Sequence, residues 1–467
     1  MTPIPQETAY RPAQAILTIA DFIADPAEAA TFPETKLRFR NDRAAESVGL
    51  NQLSDAAWIQ HFGRFVPLEG TQPTPLALRY HGHQFRNYNP DIGDGRGFLF
   101  AQLYDTQGRL MDLGTKGSGQ TLYSRFGDGR LTLKGAVREI LATEMLEALG
   151  VETSRTLSVI ETGEPLHRGD EPSPTRSAVL VRLSHGHIRI GSFQRLATLG
   201  DTKNLKRLTA YALKHYYGED AGEDAPQRLL LLVAERTARL AASYMAAGFV
   251  HGVLNTDNIN ISGESFDYGP WRWTPTFDPA FTAAYFDEQG LYAFGRQPEA
   301  IHWNVVQLAI ALTKIADQDK LVDAVNAFEP AYRHALVDRM LWRLGVLPRG
   351  PETDSALVTS IEQALIGSGH SIDQFYFDWS GGRLRNGAAH PDYDTAPFEP
   401  FKALISSYQP ARTMSHDYWN NTAPCAMPIE TVEGIWAPIA ASDDWTLFEQ
   451  KIQDIRLMGD ALKQMDR

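Results

Sequence analysis

Gly248-Phe-Val-His251-Gly-Val253-Leu-Asn-Thr-Asp257-Asn258-Ile-Asn-Ile261, continued by Ser262-Gly-Glu-Ser-Phe-Asp267-Tyr268-Gly269-Pro270, is the stretch on which the reading of this 467-residue chain turns. It reads as a loop that carries chemistry, followed by a metal-binding turn. An Asn amide and an Asp carboxylate are hard oxygen donors, suited to a divalent cation that bridges phosphate oxygens. Asn258 and Asp267 supply one of each. Ile259-Asn260-Ile261 alternates like a short strand, which would bring the two donors near each other.

The spacing is that of a protein-kinase catalytic loop, in which a His precedes the metal-binding Asn by seven residues. His251 and Asn258 keep that interval, and Asp267-Tyr268-Gly269 stands where a kinase has Asp-Phe-Gly. One position departs. Val253 occupies the place of the kinase catalytic aspartate, and valine accepts no proton. The only carboxylate in the loop is Asp257. The loop is therefore expected to bind metal and nucleotide, and not to treat a substrate hydroxyl as an ordinary kinase does.

Working outward, the upstream residues fall in kinase order. Gly93, Gly95 and Gly97 precede the strand-like run Phe98 to Tyr104, and Arg96 lies among them. Glycines let backbone amides approach phosphate oxygens, and an arginine adds a charge-assisted contact. Read alone, Gly-Asp-Gly is also an ordinary tight turn. Leu110 to Lys116 reads as a strand ending in Lys116-Gly-Ser-Gly119. Thr132 to Leu149 reads as a helix, with Leu133, Val137, Ile140, Leu141, Met145 and Ala148 at helical spacing, Thr132 at its start and Gly150 at its end. Glu139 borders that stripe. A strand lysine that holds phosphates and a helix glutamate that fixes it form the small-lobe ion pair of a kinase.

Strand signals return at Thr156–Ile160 and Ser177–Arg182, with a hairpin loop over 165–174. Arg182 and Arg189 are placed to grip a terminal phosphate bidentately, or else lie on a solvated face. His81 and His83 have no partner cluster and read as structural. Helical periodicity covers Thr202–Tyr217, Pro226–Ala247, Pro298–Ala316 and 317–365, and fades after Gly367. Residues 1–75, broken by Pro3, Pro5, Pro12, Pro26 and Pro33, read as an extended arm.

Composition bounds the class. Hydrophobic residues at 43% and charged residues at 22% describe an ordinary globular chain of two or three lobes. A net charge of -13 argues against a nucleic-acid partner. No apolar run is long enough to span a bilayer. The lone cysteine, Cys425, cannot form an intramolecular disulfide, and Glu7, Asp21 and Asp25 replace a basic, apolar leader. The expectation is a cytoplasmic monomer without membrane or nucleic-acid partners.

Together, Gly82-His-Gln-Phe85, Gly93-Asp-Gly-Arg-Gly97, Lys116-Gly-Ser-Gly119, Tyr123-Ser-Arg-Phe-Gly-Asp-Gly-Arg130, Arg138-Glu139, His251 to Asn258 and Asp267-Tyr-Gly269 resemble the selenoprotein O family of kinase-fold protein adenylyltransferases, over about Leu78 to Leu312. The resemblance implies an α+β, protein-kinase-like two-lobed fold. A small β-rich lobe with one key helix is expected over 78–190 and a mainly helical large lobe over 191–366. Extensions over 1–77 and 367–467 flank them.

The resemblance also implies that ATP binds inverted relative to a kinase. AMP would pass to Ser, Thr or Tyr hydroxyls of proteins, with pyrophosphate leaving. Gly93, Gly95, Arg96, Asp128 and Gly129 would contact the nucleotide. Lys116 would hold phosphates, oriented by Glu139, and Arg182 and Arg189 would grip the phosphate end. Asp257 would accept the proton, and Asn258 and Asp267 would hold magnesium. The chain departs from the family at its end, where a redox-active selenocysteine or cysteine is common and this sequence has Leu-Lys-Gln-Met-Asp-Arg467. Three alternatives stay open: a nucleotide-binding pseudokinase scaffold, a phosphotransferase, and UMP transfer from UTP with manganese.

Overall fold

The computed structural model describes residues 9–169, 171–385 and 391–464. Readings that involve Pro3, Pro5, Glu7 and residues 465–467 lie outside the described residues. The expected extended arm is instead built into the fold. It contributes β1 (Pro12–Ala13), β2 (Ala24–Pro26) and β3 (Lys36–Arg40), with helices α1 (Ala20–Ile23), α2 (Asp42–Glu46) and α3 (Asp55–Phe62). β4 (Leu76–Leu78) spans the expected boundary at 77 and 78. Pro12 opens β1, Pro26 closes β2 and Pro33 precedes β3, and these short strands find partners far along the chain.

β5 (Gly82–Gln84) and β6 (Asn87–Asn89) form a separate hairpin. β7 (Leu99–Tyr104), β8 (Leu110–Lys116), β9 (Leu131–Thr132), β10 (Arg155–Leu166) and β11 (Thr175–Ser184) complete the small lobe. They join the first four strands in an antiparallel sheet of order β2-β4-β7-β8-β11-β10-β3, with β1 on β7 and β9 on β11. Register fixes the chemistry. Leu180 of β11 lies opposite Lys116 of β8, and Arg182 lies opposite Gly114. Side chains two apart on a strand share a face, so Lys116 and Arg182 point the same way from neighbouring strands.

α4 (Leu133–Ala148) lies against β10 and β11. The Thr132 hydroxyl accepts the Gly135 N–H at 3.0 Å and caps its start, satisfying one amide the helix leaves unpaired. Val137, Ile140, Leu141 and Met145 are fully buried.

The large lobe follows with α5 (Ile190–Thr198), α6 (Thr202–Ala212), a wider π turn at Leu213–Tyr217, and α7 (Ala225–Ala247). α7 packs against α8 (Gln297–Leu312), α9 (Gln318–Asn326) and α10 (Phe328–Leu344). Between α7 and α8, β12 (Phe249–Val250) pairs with β13 (Arg272–Trp273), so the catalytic stretch begins and ends on one small ribbon. Ile259–Ile261 does not become a strand. Asn260 alone bridges to Arg189, because the chain turns at Gly263 immediately after it.

α11 (Pro351–Ser368) closes the stretch expected to be helical, and where the sequence signal faded the structure continues with α12 (Ile372–Asp378), α13 (Glu399–Ile405), α14 (Ile429–Ser442) and α15 (Thr446–Lys463). α14 and α15 reach back to the small lobe. Lys134 of α4 pairs with Glu433 of α14 at 2.8 Å. Arg456 of α15 donates from Nε and Nη2 to both carboxylate oxygens of Glu144, at 2.8 and 2.9 Å. Glu144 also accepts from Asn41 Nδ2 at 2.9 Å, which ties the N-terminal segment to the same helix.

Glu144 is buried, so removing Arg456 leaves a carboxylate short of its charged partner. Arg456→Ala should destabilise the protein by roughly 1–3 kcal/mol, read in parallel thermal melts and urea titrations. A variant that melts with the parent would show that this bidentate pair contributes nothing to holding α15 on α4.

Candidate active site

Between the lobes lies a cleft of about 600 Å³, within the range of small-molecule sites. Gly93, Gly95, Arg96, Lys116, Asp128, Gly129, Arg182, Arg189, Asp257 and Asp267 all line it. Two of the expected residues do not form its wall. Glu139 is buried behind Lys116, and Asn258 turns its Nδ2 to Val253 O at 3.0 Å.

Lys116 Nζ lies 2.6 Å from Glu139 Oε2 and 3.3 Å from Asp267 Oδ1. Arg182 Nη1 stands 3.5 Å from Asp267 Oδ1 and 3.8 Å from Glu139 Oε1. Arg189 Nη1 lies 3.7 Å from Asp267 Oδ2, and its Nη2 is 3.1 Å from Asp94 Oδ1. The solvated-face reading of Arg182 and Arg189 therefore fails: they are 5% and 3% exposed. Breaking one member of such a buried pair costs about 3–5 kcal/mol, because its partner is left uncompensated.

Arg189 also lies 4.2 Å from the centre of the Tyr80 ring. Tyr80, Asp94 and His187 line the cleft without being singled out as site residues from sequence. His187 Nε2 accepts from Arg182 Nε at 3.1 Å. Gly114 makes room for it, since a Cβ there would fall inside the His187 ring. The Gly-Asp-Gly-Arg motif did contain Asp94. Nothing in the sequence distinguished His187 from its neighbours.

The glycine-rich turns shape the rim. Gly129 has a φ of +69°, and a Cβ on it would strike the Gly119 backbone, so the two turns touch only because residue 129 is glycine. Asp128 is at the mouth, paired with Arg168 at 2.8 Å.

The two cleft carboxylates differ. Burial alone would push the Asp267 carboxyl up, but Lys116, Arg182, Arg189 and Arg96 outweigh it and hold it well below the usual carboxylate range. Burial raises the Asp257 carboxyl to about 6; Arg189 opposes this and the Asp267 charge adds to it. Asp257 Oδ1 is buried without a hydrogen-bond partner, and such an atom ordinarily has one. The loop carrying it is held by the β5–β6 hairpin: His83 N donates to Thr256 Oγ1 at 2.7 Å and Phe85 N to Asn255 Oδ1 at 3.0 Å.

A hard divalent cation fits this donor set. Asp267 offers a carboxylate in the cleft, and Asn258, just off its wall, has its nitrogen engaged with Val253 and its amide oxygen left as a donor. Among the described residues no cluster of three or more His, Cys, Asp or Glu could hold a metal by itself. Two protein oxygens with the remainder from phosphate and water is the usual manner of magnesium.

A β-rich lobe presenting a lysine to a helix glutamate, joined to a helical lobe that carries the His251–Asn258 loop and the Asp267 turn, defines a kinase-like enzyme. The family model described as protein adenylyltransferase SelO matches residues 7–456. The chain belongs to that family, and it is a nucleotidyltransferase. A Synechocystis sp. protein named protein nucleotidyltransferase YdiU is 41% identical over 474 residues, covering 96% of this chain and 98% of its own. A Gloeobacter violaceus protein of the same name is 43% identical over 471 residues, covering 96% and 95%. Among solved structures, the Toxoplasma gondii specific rhoptry antigen kinase domain aligns with 57% of this chain and 83% of its own at 10% identity and a TM-score of 0.28. That score carries no weight beside the element order. Among the described residues no helix is long and apolar enough to cross a membrane.

Just before Asp267, Glu264 accepts the His185 N–H at 2.8 Å, linking the Asp267 turn to the segment that joins the lobes. Burial pushes the Glu264 carboxyl up to about 7 from an ordinary 4.5, against the opposing pull of the His185 amide, Arg155 and Arg109. The folded protein thus holds this proton more tightly than the unfolded chain does. The associated stability is present below about pH 4.5 and is lost as pH rises through about 7. Glu264→Gln should remove that slope, so the parent's urea midpoint should fall relative to the variant's as pH rises from about 5 to 8. Parallel curves across that range would show that Glu264 titrates as an ordinary carboxylate.

Proposed function

We propose that this nucleotidyltransferase moves AMP from ATP to Ser, Thr or Tyr hydroxyls of proteins, releasing pyrophosphate, with magnesium as the cation. The observation that carries this reading is the charge of the inner cleft. Arg182 lies near the end of the last sheet strand, and His187 and Arg189 sit in the segment joining the lobes. A purine ring has little to gain among buried arginines, whereas a triphosphate has much to gain from their bidentate forks. The phosphate end therefore belongs at the linker and the base toward the glycine-rich rim, which turns the α-phosphate toward the loop.

In that orientation the acceptor oxygen forms a bond to the α-phosphorus as the bond to the bridging oxygen of the β-phosphate breaks. Asp257 takes the hydroxyl proton. Its carboxyl, raised to about 6 by burial, is ionised at neutral pH yet basic enough to assist, the condition for general-base catalysis. Lys116, Arg182 and Arg189 hold the departing pyrophosphate, and Glu139 keeps Lys116 in position. Asp267 and Asn258 would hold the magnesium, which supplies charge neutralisation on the phosphate oxygens. Val253, at the kinase base position, contributes no proton acceptor.

Two labels and two variants test this. Protein incubated with magnesium and ATP labelled on the α-phosphate should label an acceptor, and ATP labelled on the γ-phosphate should not. Label transferred from the γ-position alone would make the protein a phosphotransferase, and no transfer of either would make it a scaffold. UTP with manganese in a parallel arm tests for UMP transfer. Asp257→Ala should slow transfer by roughly 10²- to 10⁴-fold with ATP affinity nearly unchanged. Asp267→Ala should abolish magnesium-dependent ATP binding as well as turnover. Parent-rate transfer by Asp257→Ala would remove the base from the mechanism.

A further inference from the structure

The segment joining the lobes has two sides. His187 and Arg189 face the active cleft, while His185 faces a second cavity of about 710 Å³ on the opposite side. Six cations line this second cavity: Arg109, Arg155, Lys214, Arg236, Arg239 and Lys463. They arrive from separate parts of the fold. Arg109 is in the turn between β7 and β8, and Arg155 opens β10. Lys214 is in the π turn, Arg236 and Arg239 lie one turn apart on α7, and Lys463 ends α15.

Three acids line it as well, Glu147, Glu152 and Glu264, so the lining keeps an excess of cations. Glu147 is spent on Arg155 at 2.9 Å, and Glu264 accepts the His185 amide. Arg109 pairs with Asp105 at 2.8 Å. Among the described residues Lys214, Arg236, Arg239 and Lys463 have no salt-bridge partner. Arg236 is nonetheless held in place: it lies 4.3 Å from the centre of the Tyr217 ring and donates to Ser262 O at 3.3 Å. Four uncompensated cations around one concavity are unexpected in a chain of net charge -13, where dispersed acids would ordinarily pair with them.

We propose that this cavity is a second anion site, one that takes a chain of two or three phosphates between the lobes on the side of the linker away from the active cleft. The chemistry selects phosphates: guanidinium forks match phosphate oxygens bidentately, and cations on facing walls suit several charges in a row. Free pyrophosphate and the phosphates of a nucleotide share this chemistry. A ligand here would contact Arg109 and Arg155 of the small lobe and Lys214, Arg236 and Arg239 of the large lobe at once, so it would bridge the two. The cavity floor includes Ser262 and Glu264, in the turn that leads to Asp267. This inference goes beyond the nucleotidyl-transfer reading and does not depend on which nucleotidyl group is moved.

The test is calorimetric titration of the full chain with sodium pyrophosphate and, separately, with ATP, for the parent, Arg236→Ala/Arg239→Ala and Lys214→Glu. Lys214 is exposed, which makes its reversal a second variant with little risk to folding, and thermal melts verify both. The parent should bind pyrophosphate at two sites. The double variant should lose one of them, and Lys214→Glu should weaken that one by roughly tenfold or more. A matching loss in the ATP titration identifies nucleotide phosphates as an occupant; loss with pyrophosphate alone identifies the free phosphate chain. Isotherms for both ligands that superimpose across the parent and both folded variants overturn the proposal. Because only binding is read, a failure here is distinct from a failure of AMP transfer.

Discussion

Lys116, Glu139 and Asp267 form the contact on which the rest of the structure depends. Each comes from a different element: β8, α4 and the turn after the catalytic loop. Isolated charges at these depths would be prohibitively costly. They persist because every cation has an acid within reach, Arg182 and Arg189 sharing Asp267 and Arg189 also reaching Asp94. The requirement acts on the backbone. Satisfying it fixes the register of β8 on β11, the position of α4, and the approach of the large lobe to the small one.

The terminal segments serve that requirement from outside. α15 grips α4 through Arg456 and Glu144, and Gly459 lets α15 approach Ala148 to a distance at which a Cβ would be crowded. Asp443, at the end of α14, meets Lys36 and Arg38 of β3 and Arg176 of β11. The first and last parts of the chain thereby brace the same sheet and the same helix. Glu139 owes its position to that bracing as much as to its own helix.

The linker between the lobes concentrates function in few residues. Between Ser184 and Arg189, His185 lines one cavity and His187 and Arg189 line the other, so a short run of backbone contributes to two cationic surfaces. Glu264 and its bond to the His185 amide lie between them. Motion of one lobe against the other would be registered at both surfaces through this segment.

Much was legible in the sequence because it was local. β8 ends at Lys116 and α4 begins after Thr132 as periodicity and capping rules require, and glycine spacing marked both rim turns. The spacing of His251, Asn258 and Asp267 pointed to a kinase-like loop, because metal and phosphate chemistry restricts both residue type and interval, and the enzyme class came from the resemblance carried by the whole set of motifs. What the sequence left undecided depends on contacts between distant residues. The short strands before Leu78 have no strand character until β7 and β10 pair with them. The helices after Gly367 have apolar faces that mean little without the surfaces they cover. Arg182 and Arg189 look the same in sequence whether they face water or a carboxylate; their burial beside Asp267 decides it. The same holds for Asp257 and Asp267, identical residues ten positions apart. Burial with an unpartnered oxygen raises one, and a ring of cations holds the other down. Residue identity set which charges the chain carries, and only the folded arrangement set the dielectric and the partners that decide what each charge does.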